Sequence, residues 1–208
     1  MENIILVGFG GHAKSVADCI EREKRFRIIG FTDVKKQESY RDYPYLGDDD
    51  QLEGLYKNGV RNAFVSLGYM GNGNVRSKIY ERLKKIGFVL PSVVDPSAIV
   101  SVDVQVGEGV LIGKRAIVNP GSIIRKMCII NTGALVEHES YIDDFSHIAV
   151  NATLCGGVTI GSHSFIGANA TIIQSISVGS NCIIGAGSVV LRNVENTEKV
   201  YGIVKKHP

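Results

Sequence analysis

The stretch Val136-Glu137-His138-Glu139-Ser140-Tyr141-Ile142-Asp143-Asp144-Phe145-Ser146-His147-Ile148-Ala149-Val150-Asn151-Ala152-Thr153-Leu154 sets the terms for the whole chain. Its aliphatic residues Val136, Ile142, Ile148 and Leu154 stand six apart. Stepping outward by six in both directions, from Val94 to Val190, meets seventeen positions, and every one is Val, Ile or Leu. Those three types make up about a third of the segment, so chance agreement is ~10⁻⁷ or less. A second rule runs beside the first. Four residues after each aliphatic stands a compact residue, as at Ala98, Ala116, Ser122, Ala134, Ser140, Ser146, Ala152, Ser164, Ala170 and Ser188, and Ile176 is the residue that strains the rule. The position directly after the aliphatic is often glycine: Gly107, Gly113, Gly161, Gly167, Gly179 and Gly185. A helical stripe needs a period of 3.6, and plain strand alternation repeats every two. A short strand and a turn, repeated every six residues, satisfies both rules. The aliphatic points inward, the compact residue fits where the chain bends, and glycine is expected to relieve the turn. Three such faces close a triangular coil of about eighteen residues, and stacked coils bury a continuous aliphatic ladder.

Ahead of the repeat the pattern changes. Residues 3–7 read as an apolar strand, followed by Gly8-Phe9-Gly10-Gly11-His12 and a helix over 13–23. Residues 27–32 and 62–67 read as further strands, the first ending at Asp33 and the second at Gly68, with a helix over 74–85 and a short strand at 88–90. Strands alternating with helices indicate a parallel sheet. The glycines fall at a strand-to-helix turn, where helix amides can hold a phosphate. Asp33 ends the next strand, where an acid can accept bonds from a ribose or a base edge. The expected fold is therefore an α/β lobe, a small Rossmann-like parallel sheet over residues 1–90, followed by an all-β parallel β-helix over 91–208. The first lobe is short for a full dinucleotide fold, which argues against a nicotinamide dehydrogenase.

Composition narrows the function. The chain has 208 residues, with 23 Lys+Arg against 21 Asp+Glu and a net charge of +2, so a strong phosphate-backbone binder is disfavoured and no nucleic-acid partner is expected. No apolar run is long enough to span a membrane, and the N-terminus lacks the basic and apolar regions of a secretory signal, so a cytoplasmic location is expected. Cys19, Cys128, Cys155 and Cys182 show no CxxC spacing and read as reduced packing residues. His12, His138, His147, His163 and His207 are the histidines. Neither His138 nor His147 occupies an inward slot, so both are expected on the outer surface. Glu137-His138-Glu139 places acids on both sides of an imidazole, and a nearby carboxylate raises basicity and fixes the tautomer. Neighbours in a strand point apart, so Glu139 could share a direction with His138 only at a corner, and Glu137 is the other possible partner.

The repeat resembles the hexapeptide-repeat, left-handed β-helix acyltransferases, and the left hand comes from that resemblance. Gly8-Phe9-Gly10-Gly11-His12, Asp33, Gly68, Asn131-Thr132, Glu137-His138-Glu139, Phe145-Ser146-His147 and Cys155-Gly156-Gly157 resemble bacterial sugar acyltransferases with a small N-terminal lobe. These include N-acetyltransferases of UDP-linked 4-amino sugars and sialic acid O-acetyltransferases. The resemblance implies an acetyl-CoA-dependent transferase and a homotrimer with intersubunit sites. It implies that His138 is the general base, that Glu139 raises its basicity, and that His147 bonds acetyl-CoA. It also implies that Gly156, Ala168 and Ala186 line the pantetheine groove, and that Gly10, Gly11, His12, Asp33, Gly68 and Asn131 bind the sugar nucleotide. The chain departs from the family pattern at residues 202–206, which lack a proline, and at residues 69–73, which look expanded. No cysteine adjoins His138, which favours direct acyl transfer, and no metal is expected. A γ-class carbonic anhydrase would need three zinc-binding histidines, but His138, His147 and His163 are spaced without any pair inside one hexad. A non-catalytic assembly module would need neither the acid-flanked histidine nor the glycine-rich first turn.

Overall fold

The computed structural model describes residues 1–71 and 74–205; His207, Lys206, Asn72 and Gly73 lie outside the described residues. The chain divides into two compact units, Met1–Gly68 with Gly73–Val93, and Tyr69–Asn72 with Val94–Pro208.

In the first unit β1 (Glu2–Val7), α1 (Gly11–Glu23), β2 (Phe26–Thr32), a 3₁₀ turn (Asp49–Gln51), α2 (Leu52–Lys57), β3 (Asn62–Val65) and α3 (Val75–Ile86) follow in order. The sheet is parallel in the order β2-β1-β3. β1 is the central strand, which explains its unbroken apolar run: Ile4, Ile5, Leu6 and Val7 are fully buried. Three elements differ from the sequence reading. β3 stops at Val65, and the expected strand at 88–90 is a single bridge from Val89 to Asn62. α2 was not foreseen, because six residues are too short to show a helical period.

The second unit is the hexapeptide β-helix. Two-residue strands recur every six residues from Ile99–Val100 to Val189–Val190. Each pairs in parallel with the strand eighteen residues on, as Ile129↔His147↔Phe165 on one face, Leu135↔Thr153↔Thr171 on the second and Tyr141↔Thr159↔Ser177 on the third. The second residue of each strand points inward, so Val136, Ile142, Ile148, Leu154, Ile160, Ile166 and Ile172 form one buried ladder. The compact slots are buried too, and their hydroxyls are satisfied. Ser146 Oγ donates to the Gly161 carbonyl at 2.8 Å and Ser164 Oγ to that of Gly179 at 2.7 Å. After Val190 the six-residue step is lost, yet Val194, Val200 and Val204 still turn inward to close a last coil.

The glycines following the aliphatics do not relieve the turn as expected. The left-handed residue of these corners stands two places later, at Arg115, Met127, Glu139, Phe145, Asn151, His163, Asn169, Ser175 and Asn181, and as glycine at Gly109, Gly121, Gly133, Gly157 and Gly187. Its amide bonds to the coil below, as Glu139 N–H to the Pro120 carbonyl at 2.9 Å. Gly107, Gly161 and Gly167 answer a different demand. A Cβ on any of them would come within 2.6 Å of backbone in the next coil. Close stacking of coils, not backbone conformation, selects glycine there.

Candidate active site

In the first unit the glycine turn separates into two jobs. Gly8 has φ +85°, and a Cβ there would run into Leu67. Among the described residues nothing stands within 4 Å of a Cβ built on Gly10 or Gly11, which leaves open space beside the α1 N-terminus there. Gly10 caps α1 without any side-chain bond, which leaves first-turn amides facing that space. Asp33 braces the loop from below: its carboxylate accepts from the Phe9 amide at 2.7 Å and the Lys35 amide at 3.0 Å. A Cβ on Gly68 would stand 3.5 Å from the Cβ of His12, an ordinary contact. Burial and the nearby Arg76 guanidinium push the His12 imidazole down to about 4, so the ring is neutral at pH 7. A hollow of about 220 Å³ opens beside this turn between Gly8, Asp33, Val34, Asp49, Leu67 and Ile79. Asp49, whose carboxyl is pushed up by burial, and Arg76 were missed by sequence reasoning. Asp49 opens a three-residue turn too short to show a period, and Arg76 is a charged residue near the start of α3 that is buried although its type is normally exposed. A larger groove of about 650 Å³, lined by Glu53, Tyr56, Lys57, Arg82, Lys85 and Ile86, is an open channel with charged walls.

In the second unit His138 and Glu139 form a corner. The left-handed Glu139, φ +57°, breaks the strand alternation and turns its side chain toward its neighbour. Glu139 Oε2 lies 3.5 Å from His138 Nδ1. Glu137 takes a different part, accepting from the His138 backbone amide at 3.2 Å. The imidazole lies over Gly156, one coil on: a Cβ at Gly156 would stand 2.6 Å from both Cε1 and Nε2. The pair is open, with side chains 59% and 79% exposed.

His147 points outward as its register requires, but it is covered and only 6% exposed. The correction comes from residues 69–71, which pack on the face formed by Ile129, His147, Phe165 and Ile183. His147 Nδ1 meets the Tyr69 carbonyl at 2.5 Å, and Tyr69 Oη donates to the His163 carbonyl at 2.7 Å. A Cβ on Gly71 would strike Ile183. The other ring nitrogen, Nε2, is 3.1 Å from Asn131 Nδ2. Asn131 is thus joined to His147 in the β-helix. Ala168 and Ala186 stack one coil apart, linked by the Gly187 amide to the Ala168 carbonyl at 2.8 Å. The register places Asn131, Ala168 and Ala186 at one corner of the prism, and His138 and Gly156 at the next. Among the described residues no group of His, Cys, Asp and Glu is placed to hold a metal, and no helix is long and apolar enough to cross a membrane.

Residues 3–83 match the PglD N-terminal domain family, and residues 103–137 and 157–192 match the hexapeptide repeat of succinyl-transferase. Over 97% of its length the chain is similar, at 31% identity and a TM-score of 0.92, to a histidine variant of perosamine N-acetyltransferase from Caulobacter crescentus in complex with CoA and GDP-perosamine, of which it covers 94%. It is likewise similar to the acetyltransferase domain of PglB from Neisseria gonorrhoeae FA1090 in complex with acetyl coenzyme A, at 32% identity and a TM-score of 0.90 over 97% of this chain and 96% of that one. UDP-N-acetylbacillosamine N-acetyltransferase of Bacillus subtilis (strain 168) is 34% identical over 116 residues, 54% of this chain and about half, 51%, of the length of that curated relative. The chain belongs to the hexapeptide-repeat sugar acyltransferases that carry this N-terminal lobe.

Proposed function

We propose that this enzyme transfers the acetyl group of acetyl-CoA to the amino nitrogen of a nucleotide-linked amino sugar, a UDP-4-amino-4,6-dideoxyhexose, in the cytoplasmic stage of bacterial surface glycan synthesis. The observation that carries the reading is the His138–Glu139 pair, with Nδ1 held 3.5 Å from a carboxylate and the ring resting on Gly156. A carboxylate at Nδ1 favours the tautomer with the proton there, leaving the Nε2 lone pair outward as a base. The sugar amine attacks the thioester carbonyl carbon and Nε2 takes its proton. The tetrahedral intermediate then collapses, the C–S bond breaks, and the departing thiolate recovers the proton from His138. The products are the N-acetyl sugar nucleotide and CoA thiol. General-base catalysis of this kind contributes about 10²–10⁴-fold.

The diphosphate is assigned to the open amides at Gly10 and Gly11 with His12 beside them, and the nucleoside to the hollow near Asp33 and Gly68. Gly156, Ala168 and Ala186 are assigned to the pantetheine groove. The flat outer faces of one prism bury little of a CoA-sized ligand, whereas ligand sites are concave. With His138 at one corner and Ala168 and Ala186 at the next, a threefold ring of prisms supplies clefts lined by two chains, so the working form is a homotrimer. The test is a panel of UDP-, GDP- and CMP-linked sugars with acetyl-CoA, reading thiol release for the native enzyme and His138→Ala. Turnover with UDP-amino sugars that falls by about 10²-fold or more in the variant is expected. Turnover only with a CMP-sialic acid hydroxyl, or unchanged turnover without His138, overturns the reading.

A further inference from the structure

One face of the prism is apolar where the other two are polar. In the middle coils the outward slots of those two faces hold Thr153, Thr159, Thr171 and Ser177. The remaining face carries His147, Phe165 and Ile183 in its outward column. Phe165 stands three residues before Ala168, and Ile183 three before Ala186. The face therefore runs straight into the corner assigned above to pantetheine. A thioester seated at that corner has an aromatic ring and an aliphatic side chain beside it, a bed on which the methylenes of a long acyl group could leave water.

The chain itself occupies that bed. Tyr69 is 8% exposed and is pinned twice, by its hydroxyl on the His163 carbonyl at 2.7 Å and by its own carbonyl on His147 Nδ1 at 2.5 Å. Gly71 lies directly on the apolar residues: a Cβ there would stand 2.6 Å from Ile183 Cγ1 and 3.7 Å from the Phe165 Cβ, and φ is +80°. Carbon centres in contact need about 3.5–4.0 Å, so no methylene fits between Gly71 and Ile183. Met70, held between these two anchors, points away at 73% exposed.

We propose that the strap Tyr69–Gly71 sets the length of the acyl group, with Tyr69 and Gly71 as the specificity-determining residues. The methyl of an acetyl group ends at the corner and leaves the strap in place. Each further methylene must enter the bed and displace it. The inference rests on the acyl-transfer reading above and adds to it the reason for an acetyl donor.

The test compares acetyl-, propionyl-, butyryl- and hexanoyl-CoA by thiol release, with the sugar nucleotide that the panel above identifies. One methylene is worth about 10–200-fold in such a site, so native kcat/KM should fall at least about 10-fold from acetyl to propionyl and further to butyryl. Tyr69→Phe removes the anchor on His163 and keeps the carbonyl on His147. Gly71→Ala drives a Cβ into Ile183 and lifts the strap. Each should raise the ratio of butyryl to acetyl turnover by about 10-fold or more. A merely structural loss would lower both donors together and leave the ratio where it was. An unchanged ratio in either folded variant overturns the inference. So does native enzyme that transfers butyryl as fast as acetyl, a result that needs no variant to fold and leaves the acyl-transfer reading standing. Release of thiol from none of the four donors would strike that reading itself.

Discussion

Gly156→Ala isolates the placement of the proposed base, His138, from everything else in the fold. Gly156 does not adopt positive φ, so alanine is compatible with its backbone. The added Cβ would lie 2.6 Å from Cε1 and Nε2 of His138, where ordinary contact begins near 3.4 Å, so the imidazole must withdraw by about 0.8 Å. The ring is exposed and can swing outward, which keeps the cost to stability small; reduced freedom of the unfolded chain could even raise it by about 0.4–1 kcal/mol. Catalysis has no such tolerance, since a misplacement of about 1 Å can cost 10²-fold in rate. Steady-state thiol release should show kcat down by roughly that factor, with the melting temperature held or slightly raised. Native kcat in a folded Gly156→Ala enzyme, or a loss confined to the KM for acetyl-CoA, would refute the idea that Gly156 exists to seat His138.

Three further outcomes follow from the same geometry. Gly11→Val places a branched side chain in space that is open in the protein alone. It should weaken sugar-nucleotide binding by calorimetry while leaving acetyl-CoA affinity unchanged, and a parallel loss of both would dissociate this turn from the phosphates. His12, at 6.5 in the unfolded chain and pushed down to about 4 in the fold, binds its proton more readily unfolded. Its contribution is therefore complete above about pH 6.5 and is lost as pH falls toward 4. Melting temperature should drop across that window, and His12→Asn should flatten the drop. Ile142→Ala, in the buried ladder, should cost about 2–5 kcal/mol in denaturant unfolding, whereas Ile99→Ala, at a residue 64% exposed, should stay within about 0.5 kcal/mol.

The β-helix was legible because one physical demand repeats. Every coil must bury an aliphatic at the same angular position and bend at a compact residue, so the requirement is written into residues 94–190 at a fixed spacing. The glycine turn was legible for a similar reason, since a strand-to-helix junction with an open N-terminus is a local feature. Other parts depended on contacts that no spacing encodes. Glu137 and Glu139 flank His138 alike in sequence, and only the left-handed corner at Glu139 turns one carboxylate to the ring and leaves the other on the backbone.

By itself, then, the sequence determined the period, the inward ladder and the column in which each histidine stands, because those follow from which residues tolerate burial. Tertiary structure decided what each histidine meets. His138 stays open over Gly156, while His147, equally outward by register, is covered by residues 69–71, 78 positions away along the chain at the Tyr69 bond. A residue's register states which way its side chain leaves the backbone. What it meets there depends on chain returning from elsewhere, and that return sets the exposure and the bonding partners of the imidazole.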